Sequence, residues 1–142
     1  MLATYTGVPT VLSADLGSPV TAVEHEDCPV TDVLRRVGDK WSVLIVVLLG
    51  RSPRRFNELH RSIEGISQRM LTRTLRGLER DGLVTRSVQP TVPATVEYAL
   101  SELGGSLLLP LSALTDWVMA HNGDIALSRG RYDSQREDGH MS

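Results

Sequence analysis

The 142-residue sequence predicts a mainly α-helical fold that carries one small β-hairpin. Three observations lead to this prediction: apolar residues recur at helical spacing, two later segments alternate as strands do, and Gly or Pro separates the elements. The length favours one domain. We place it at residues 28–121, between a flexible N-terminal extension (1–27) and a polar C-terminal tail (122–142) that we expect to fray.

Three helices are predicted in the first half of the domain. The first begins at Pro29, because proline is favoured at the first helical position, and ends at Gly38. The second begins near Trp41 and is apolar nearly all round, so we expect it to be buried in the core or against a second subunit. The third is short, over about 55–62, and Gly65 allows a tight turn after it.

The fourth helix, over 67–81, has two different faces. Its arginines recur at i, i+4, i+7 and i+11, which places them on one stripe: Arg69, Arg73, Arg76 and Arg80. Leucines form a second stripe that can pack on a core, and Ser67 can cap the helix. Two helices joined by a tight turn that contains glycine predict a helix-turn-helix unit.

A hairpin and a last helix complete the domain. Segments 83–88 and 95–100 are predicted strands, and the loop 89–93 between them forms the wing of a winged helix-turn-helix. Ser101 can cap the last helix, which Pro110 should kink or split. The last helix carries more apolar surface than a small core needs, so we expect it to pair with a second copy of the chain through Leu107, Leu111, Leu114, Trp117 and Val118.

Charge is distributed unevenly along the chain. Residues 1–34 carry five acidic side chains and no Lys or Arg, whereas residues 51–86 carry nine arginines against four acidic residues. A chain with a net charge of -2 and a basic middle predicts a localised anionic partner.

Several ordered motifs resemble one family. The motifs Cys28-Pro29-Val30, Gly38-Asp39-Lys40-Trp41, 55–59 (RFNEL), 65–71 (GISQRML), 78–84 (LERDGLV) and 96–98 (VEY) are similar to those of HxlR-type winged-helix transcriptional regulators. The resemblance spans about 28–121 and implies a dimeric bacterial regulator with MarR-like architecture. It also implies a pseudo-palindromic DNA operator and a homodimer built by the first and last helices, which would add Val30 and Leu34 of the first helix to the interface.

The predicted DNA contacts lie mainly on the fourth helix. Arginine can donate two parallel hydrogen bonds to guanine or to phosphate, and a recognition helix delivers such groups into the major groove. We expect contacts from Ser67, Gln68, Arg69, Thr72, Arg73, Arg76 and Arg86, with Arg54, Arg55 and Arg61 on the DNA backbone. The wing tip has no Lys or Arg, and Thr95 stands where many relatives have a basic residue.

Cys28 is the single cysteine and has two open interpretations, a structural residue or a sensor of oxidants and electrophiles, as in some HxlR-type relatives. The positive end of the following helix favours its thiolate, whereas Glu26 and Asp27 oppose it. His25 and Cys28 contain metal-binding donor types, but one His-x-x-Cys pair is weak evidence, so we predict no metal and no cofactor. A small-molecule effector is the alternative signal.

Other function classes are less well supported by the residues. No phosphate-binding glycine loop or nucleophile–His–acid set is present, so we expect no enzyme activity. A winged-helix module that binds proteins and not DNA is the main alternative. The longest apolar run, 43–49, is too short to cross a bilayer, and no signal peptide is evident, so we expect a cytoplasmic protein.

Overall fold

The computed structural model describes residues 29–140; the predicted extension 1–27 and Cys28 lie outside this range. Its elements are α1 (Pro29–Val37), α2 (Lys40–Arg51), β1 (Arg54–Arg55), α3 (Phe56–Ser62), α4 (Gln68–Arg80), β2 (Val84–Gln89), β3 (Thr95–Leu100), α5 (Glu102–Ser106) and α6 (Leu108–His140). The predicted fold class, mainly α with a small wing, is confirmed.

The central helix of the core is α2. It begins where the Asp39 carboxylate accepts a hydrogen bond from the Trp41 backbone N–H at 3.1 Å, an N-cap that satisfies one free donor. Its core-facing residues Ile45, Val46 and Leu49 are at most 3% exposed. On its other side Leu44 and Val47 stay 43% and 37% exposed, so one subunit alone does not bury this helix all round.

The predicted helix-turn-helix consists of α3, a short turn and α4. Ile63 and Ile66 anchor the turn because both are buried. Between them Gly65 has a φ of +88°, a conformation in which glycine avoids the strain of a side chain. α4 then begins as predicted, with the Ser67 hydroxyl accepting the Met70 backbone N–H at 3.0 Å.

One face of α4 is fixed in the core. Leu71, Leu75 and Leu78 are each at most 1% exposed. Burying a leucine side chain contributes about 1.5–3 kcal/mol relative to leaving it in water, so these three together contribute roughly 5–9 kcal/mol. The orientation of α4 about its own axis is therefore set by its leucines.

The sheet has three antiparallel strands in the order β1-β3-β2. Tyr98 on the central strand β3 lies opposite Arg54 of β1 on one side and Arg86 of β2 on the other. The two predicted wing strands are confirmed to within one residue. We did not predict β1, because two residues are too few to show the alternation of a strand.

The chain splits near Pro110, as predicted. Ser101 caps α5 by accepting the Gly104 N–H at 3.0 Å, and α6 restarts at Leu108. Pro110 therefore lies in the first turn of α6, where its missing N–H removes no intrahelical hydrogen bond.

The prediction of a frayed tail needs correction, because α6 continues to His140. Within it, the His121 and Trp117 rings stack with centroids 4.6 Å apart, and the Arg136 Nη1 donates to the Tyr132 hydroxyl at 3.4 Å. The sequence after Gly123 has no apolar stripe at helical spacing, so it does not predict a helix. In the structure most of this part of α6 is exposed.

Leu111 also needs correction as an interface residue. It is 8% exposed and belongs to the core of its own subunit, and Leu107 packs against the same core. The other predicted dimer residues remain exposed: Val30 at 64%, Leu34 at 60%, Leu114 at 57%, Trp117 at 51% and Val118 at 40%.

One described stretch, Glu102–Gly139, is long and apolar enough to cross a bilayer by length and composition, with a mean hydropathy of 1.3 over its most apolar window. Only 11% of that window is buried in the single subunit. Length and composition alone are weak evidence for a membrane span, and a protein interface would use the same exposed apolar surface.

Gly104 packs where α5 meets the start of the wing. A Cβ at this position would overlap the Leu83 carbonyl oxygen and lie 2.9 Å from its carbon. The Leu83 carbonyl cannot easily shift, because it accepts the Ser101 N–H at 3.0 Å. A Cβ at the neighbouring Gly105 would meet nothing within 4 Å.

Gly104→Ala should therefore lower the free energy of unfolding by about 1–3 kcal/mol through overpacking. Gly105→Ala is the matched control, and it should raise stability by up to about 1 kcal/mol because alanine favours helix. Urea unfolding measures both. Equal midpoints for the two variants would contradict the close approach of α5 to Leu83.

Candidate nucleic-acid interface

The side of α4 opposite its buried leucines carries the arginine stripe, defined as Arg69, Arg73, Arg76 and Arg80, and all four are exposed. At 100° per residue their side chains fall within an arc of about 60°, and they extend over about 16 Å of the helix axis. The stripe is thus a narrow cationic edge.

Internal partners do not neutralise this edge. Within residues 29–140, no salt bridge or side-chain hydrogen bond involves the four guanidinium groups. Each guanidinium carries five N–H donors in a planar fork that matches a phosphate or the major-groove edge of guanine. The stripe therefore retains its full capacity to bind an anion.

The structure brings five of the predicted DNA-contact residues together. Gln68, Arg69, Thr72, Arg73 and Arg76 line one open groove along the first turns of α4. Phe56, at the start of α3, forms the remaining wall, and it was not predicted as part of the site. In the sequence, the spacing of Phe56 from Leu59 and Ile63 indicates a core residue. No sequence signal therefore marked it as part of the candidate site.

Ser67 and Arg55 lie at the starts of the two helices. The Ser67 hydroxyl is occupied by its capping hydrogen bond to Met70. Arg55 is exposed, and its backbone N–H donates to the Glu58 carboxylate at 3.2 Å. Its guanidinium forms no salt bridge within residues 29–140.

Arg54 is held more firmly inside its own subunit. It is half-buried, and its Nη1 donates to the Ser62 hydroxyl at 3.0 Å. Its Nε is buried and has no hydrogen-bond partner within the described part of the chain. Arg54 is therefore less available to a phosphate than Arg55.

The wing carries little positive charge. Arg86 is exposed on the edge strand β2, and Val92 at the wing tip is fully exposed. The exposed positive charge therefore lies mainly on α4 and not on the wing. Across residues 29–140, His, Cys, Asp and Glu side chains form no group of three that could hold a metal ion, and His25 and Cys28 lie outside that range.

The sequence matches the family model described as HxlR-like helix-turn-helix over residues 36–125. It is 43% identical over 93 residues to YtfH of Escherichia coli K12, described as an uncharacterized HTH-type transcriptional regulator. That match covers 66% of this chain and 74% of the relative.

Solved structures agree with this assignment. The redox regulator HypR in its oxidized form is 40% identical with a TM-score of 0.60, and the match covers 66% of this chain and 96% of HypR. The reduced transcriptional regulator YodB from Bacillus subtilis is 35% identical with a TM-score of 0.60, covering 64% and 90%. These relatives are transcriptional regulators and not enzymes. With its helix-turn-helix and its open arginine edge, the chain belongs to the HxlR-like helix-turn-helix family of transcriptional regulators.

Proposed function

We propose that this protein is a dimeric, sequence-specific regulator that reads a pseudo-palindromic DNA operator by inserting α4 into the major groove. The observation that carries the proposal is the two-faced character of α4. Its leucines are buried, and its arginine stripe is exposed without internal ion pairs among the described residues. A cationic helix edge of this kind has DNA as its natural partner.

The contacts that specify sequence come from the first two turns of α4. Gln68, Arg69 and Arg73 line the same groove and reach base edges or phosphates, with Thr72 and Arg76 flanking them. Arg80 lies about 16 Å further along the axis than Arg69, so it falls outside the reading turns.

Other residues position the protein on the DNA backbone. The first backbone N–H groups of α4, next to Ser67, can bind a phosphate, because a helix N-terminus carries partial positive charge. Arg55 and Arg86 are exposed and add backbone contacts, and Arg54 contributes less because Ser62 holds its guanidinium. These groups set register without reading bases.

Dimerisation follows from surface that a single subunit leaves uncovered. Val30 and Leu34 on α1, with Leu114, Trp117 and Val118 on α6, are apolar and 40–64% exposed. Pairing these helices buries that surface and presents two copies of α4. Two half-sites are read when the helices lie about 34–36 Å apart.

The alternative of a protein-binding module without DNA binding is disfavoured by the open arginine stripe. Such a module gains nothing from four exposed guanidiniums aligned on a helix-turn-helix. This function requires access to DNA, which places the proposed regulator in the cytoplasm.

For the signal, we propose thiol chemistry at Cys28. Its support is that relatives include the redox regulator HypR, solved in oxidized and reduced forms, and YodB, solved in reduced and diamide-treated forms. The alternative, a small-molecule effector, is favoured by a mostly apolar cavity of about 440 Å³ that Val33 of α1, Leu103 of α5 and Leu107 help to line.

Operator binding should depend steeply on salt. If each subunit makes three to five phosphate contacts, the slope of log affinity against log salt should be on the order of -5 to -9 for the dimer. Fluorescence anisotropy with duplex DNA from upstream of the protein's own gene measures it, with unrelated duplex as control. A slope near zero is incompatible with the proposed function.

Arg73→Ala should weaken operator binding by about 1–3 kcal/mol and relax specificity at one base position. Arg80→Ala is the matched control, because it removes the same charge from the same helix outside the reading turns. Competition of operator against mutated operator measures both. If the two variants discriminate equally well, Arg73 does not read a base.

Leu114→Glu should convert the dimer to a monomer, because it places a charge in the proposed apolar interface while leaving the core intact. Val88→Glu changes a similarly exposed apolar residue, 60% against 57%, on the wing strand and should remain dimeric. Light scattering after size exclusion reports the mass. A Leu114→Glu protein that stays dimeric places the interface elsewhere.

Oxidant or quinone treatment should abolish operator binding by the wild-type protein and leave Cys28→Ser unaffected, since the chain has no other thiol. The anisotropy assay, before and after a reducing agent, checks this. Identical behaviour of both proteins would remove Cys28 as the sensor.

A further inference from the structure

One ion pair ties α1 to the end of the recognition helix. Arg36, in the last turn of α1, donates from its Nε to the Asp81 carboxylate at 2.7 Å. The two side chains are 28% and 36% exposed, so the pair is partly shielded from water. Its partners are 45 residues apart in sequence. The contact therefore links two elements that are far apart in the sequence.

Steric contact supports the same link. A Cβ placed on Gly77 would overlap the Arg36 guanidinium and lie 2.7 Å from its central carbon. The guanidinium thus rests on the bare backbone of α4. Glycine inside a helix costs about 1 kcal/mol relative to alanine, and an alanine here would require the end of the flexible Arg36 side chain to shift.

Gly77 borders the arginine stripe, one turn beyond Arg73. At 100° and 1.5 Å per residue it lies about 40° round α4 from Arg73, about 60° from Arg80, and about 6 Å further along the axis than Arg73. Arg36 therefore contacts α4 beside the stripe and beyond the two turns that we propose read bases.

Asp81 is the point at which α4 passes into the wing. It is the C-cap residue, and its backbone N–H donates to the Gly77 carbonyl at 3.0 Å. Gly82, with a φ of +77°, then turns the chain towards β2. A carboxylate at a helix C-terminus is electrostatically unfavourable, and Arg36 offsets this. A contact at Asp81 therefore fixes the junction between α4 and the wing relative to α1.

We propose that Arg36 is a positioning residue for DNA recognition, which transmits the position of α1 to the recognition helix without touching DNA. This inference rests on the proposed DNA-binding function. α1 bears exposed apolar residues, Val30 and Leu34, that the proposed dimer would cover. Any movement of α1 in the dimer is thereby passed to α4 through Arg36, and recognition tolerates misplacement of only about 0.5 Å.

Three variants break the contact with different effects on charge. Arg36→Gln removes a positive charge, Asp81→Asn removes a negative one, and Gly77→Ala changes no charge but displaces the guanidinium. Simple electrostatics predicts weaker DNA binding for Arg36→Gln and tighter binding for Asp81→Asn. Positioning predicts that all three lose operator affinity.

Each variant should bind the operator about five- to tenfold more weakly than wild type. The double variant Arg36→Gln/Asp81→Asn should lose no more affinity than the single variant with the larger loss, because both substitutions break the same contact. Arg35→Gln is the control, because Arg35 is exposed, neighbours Arg36 and forms no salt bridge within residues 29–140. It should bind as wild type does. Affinity for unrelated duplex and the salt slope should stay unchanged in Arg36→Gln, whereas loss of a direct phosphate contact would lower both.

Binding is measured at a temperature where circular dichroism shows every variant fully folded, so that lost stability cannot mimic lost affinity. Arg36→Lys, which keeps the charge, should recover part of the operator affinity. Wild-type affinity in folded Arg36→Gln, or tighter operator binding by Asp81→Asn, overturns the positioning role alone. A wild-type protein that binds no duplex overturns the proposed function and this inference with it.

Discussion

The whole structure depends on one constraint, which is that α4 must bury its leucines and cannot bury its arginines. Leu71, Leu75 and Leu78 are sealed in the core, and they fix the rotation of the helix about its axis. An unpaired guanidinium in the interior would cost several kcal/mol, so the opposite stripe must face solvent. The same thirteen residues therefore hold the fold together and supply the exposed cationic surface that we propose meets DNA.

The remaining elements serve mainly to position α4. The turn at Gly65 and the Ser67 cap set where α4 begins, and the Asp81-Gly82 junction sets where it ends. α5 approaches so closely at Gly104 that only a bare backbone fits. These contacts hold α4 on a scaffold of little more than one hundred described residues and leave its arginine stripe exposed.

The sequence predicts best what is local. Ser67 as a cap, Gly65 in the turn and the alternation of β3 are each determined within a few residues, and each is found where expected. Tertiary contacts are different. Strand β1 exists because Arg54 lies opposite Tyr98, Leu111 is buried because α6 folds back on the core, and Arg36 meets Asp81 across 45 residues. The far end of α6 was missed because its polar, glycine-containing sequence resembles a tail.

The most direct test of major-groove reading by α4 is methylation interference at guanine N7 on operator DNA. N7 lies in the major groove, where the arginine stripe would donate its hydrogen bonds. The account predicts strong interference at guanines in two half-sites whose centres are about 10 base pairs apart on one face of the duplex. Operator binding that is indifferent to N7 methylation would contradict it.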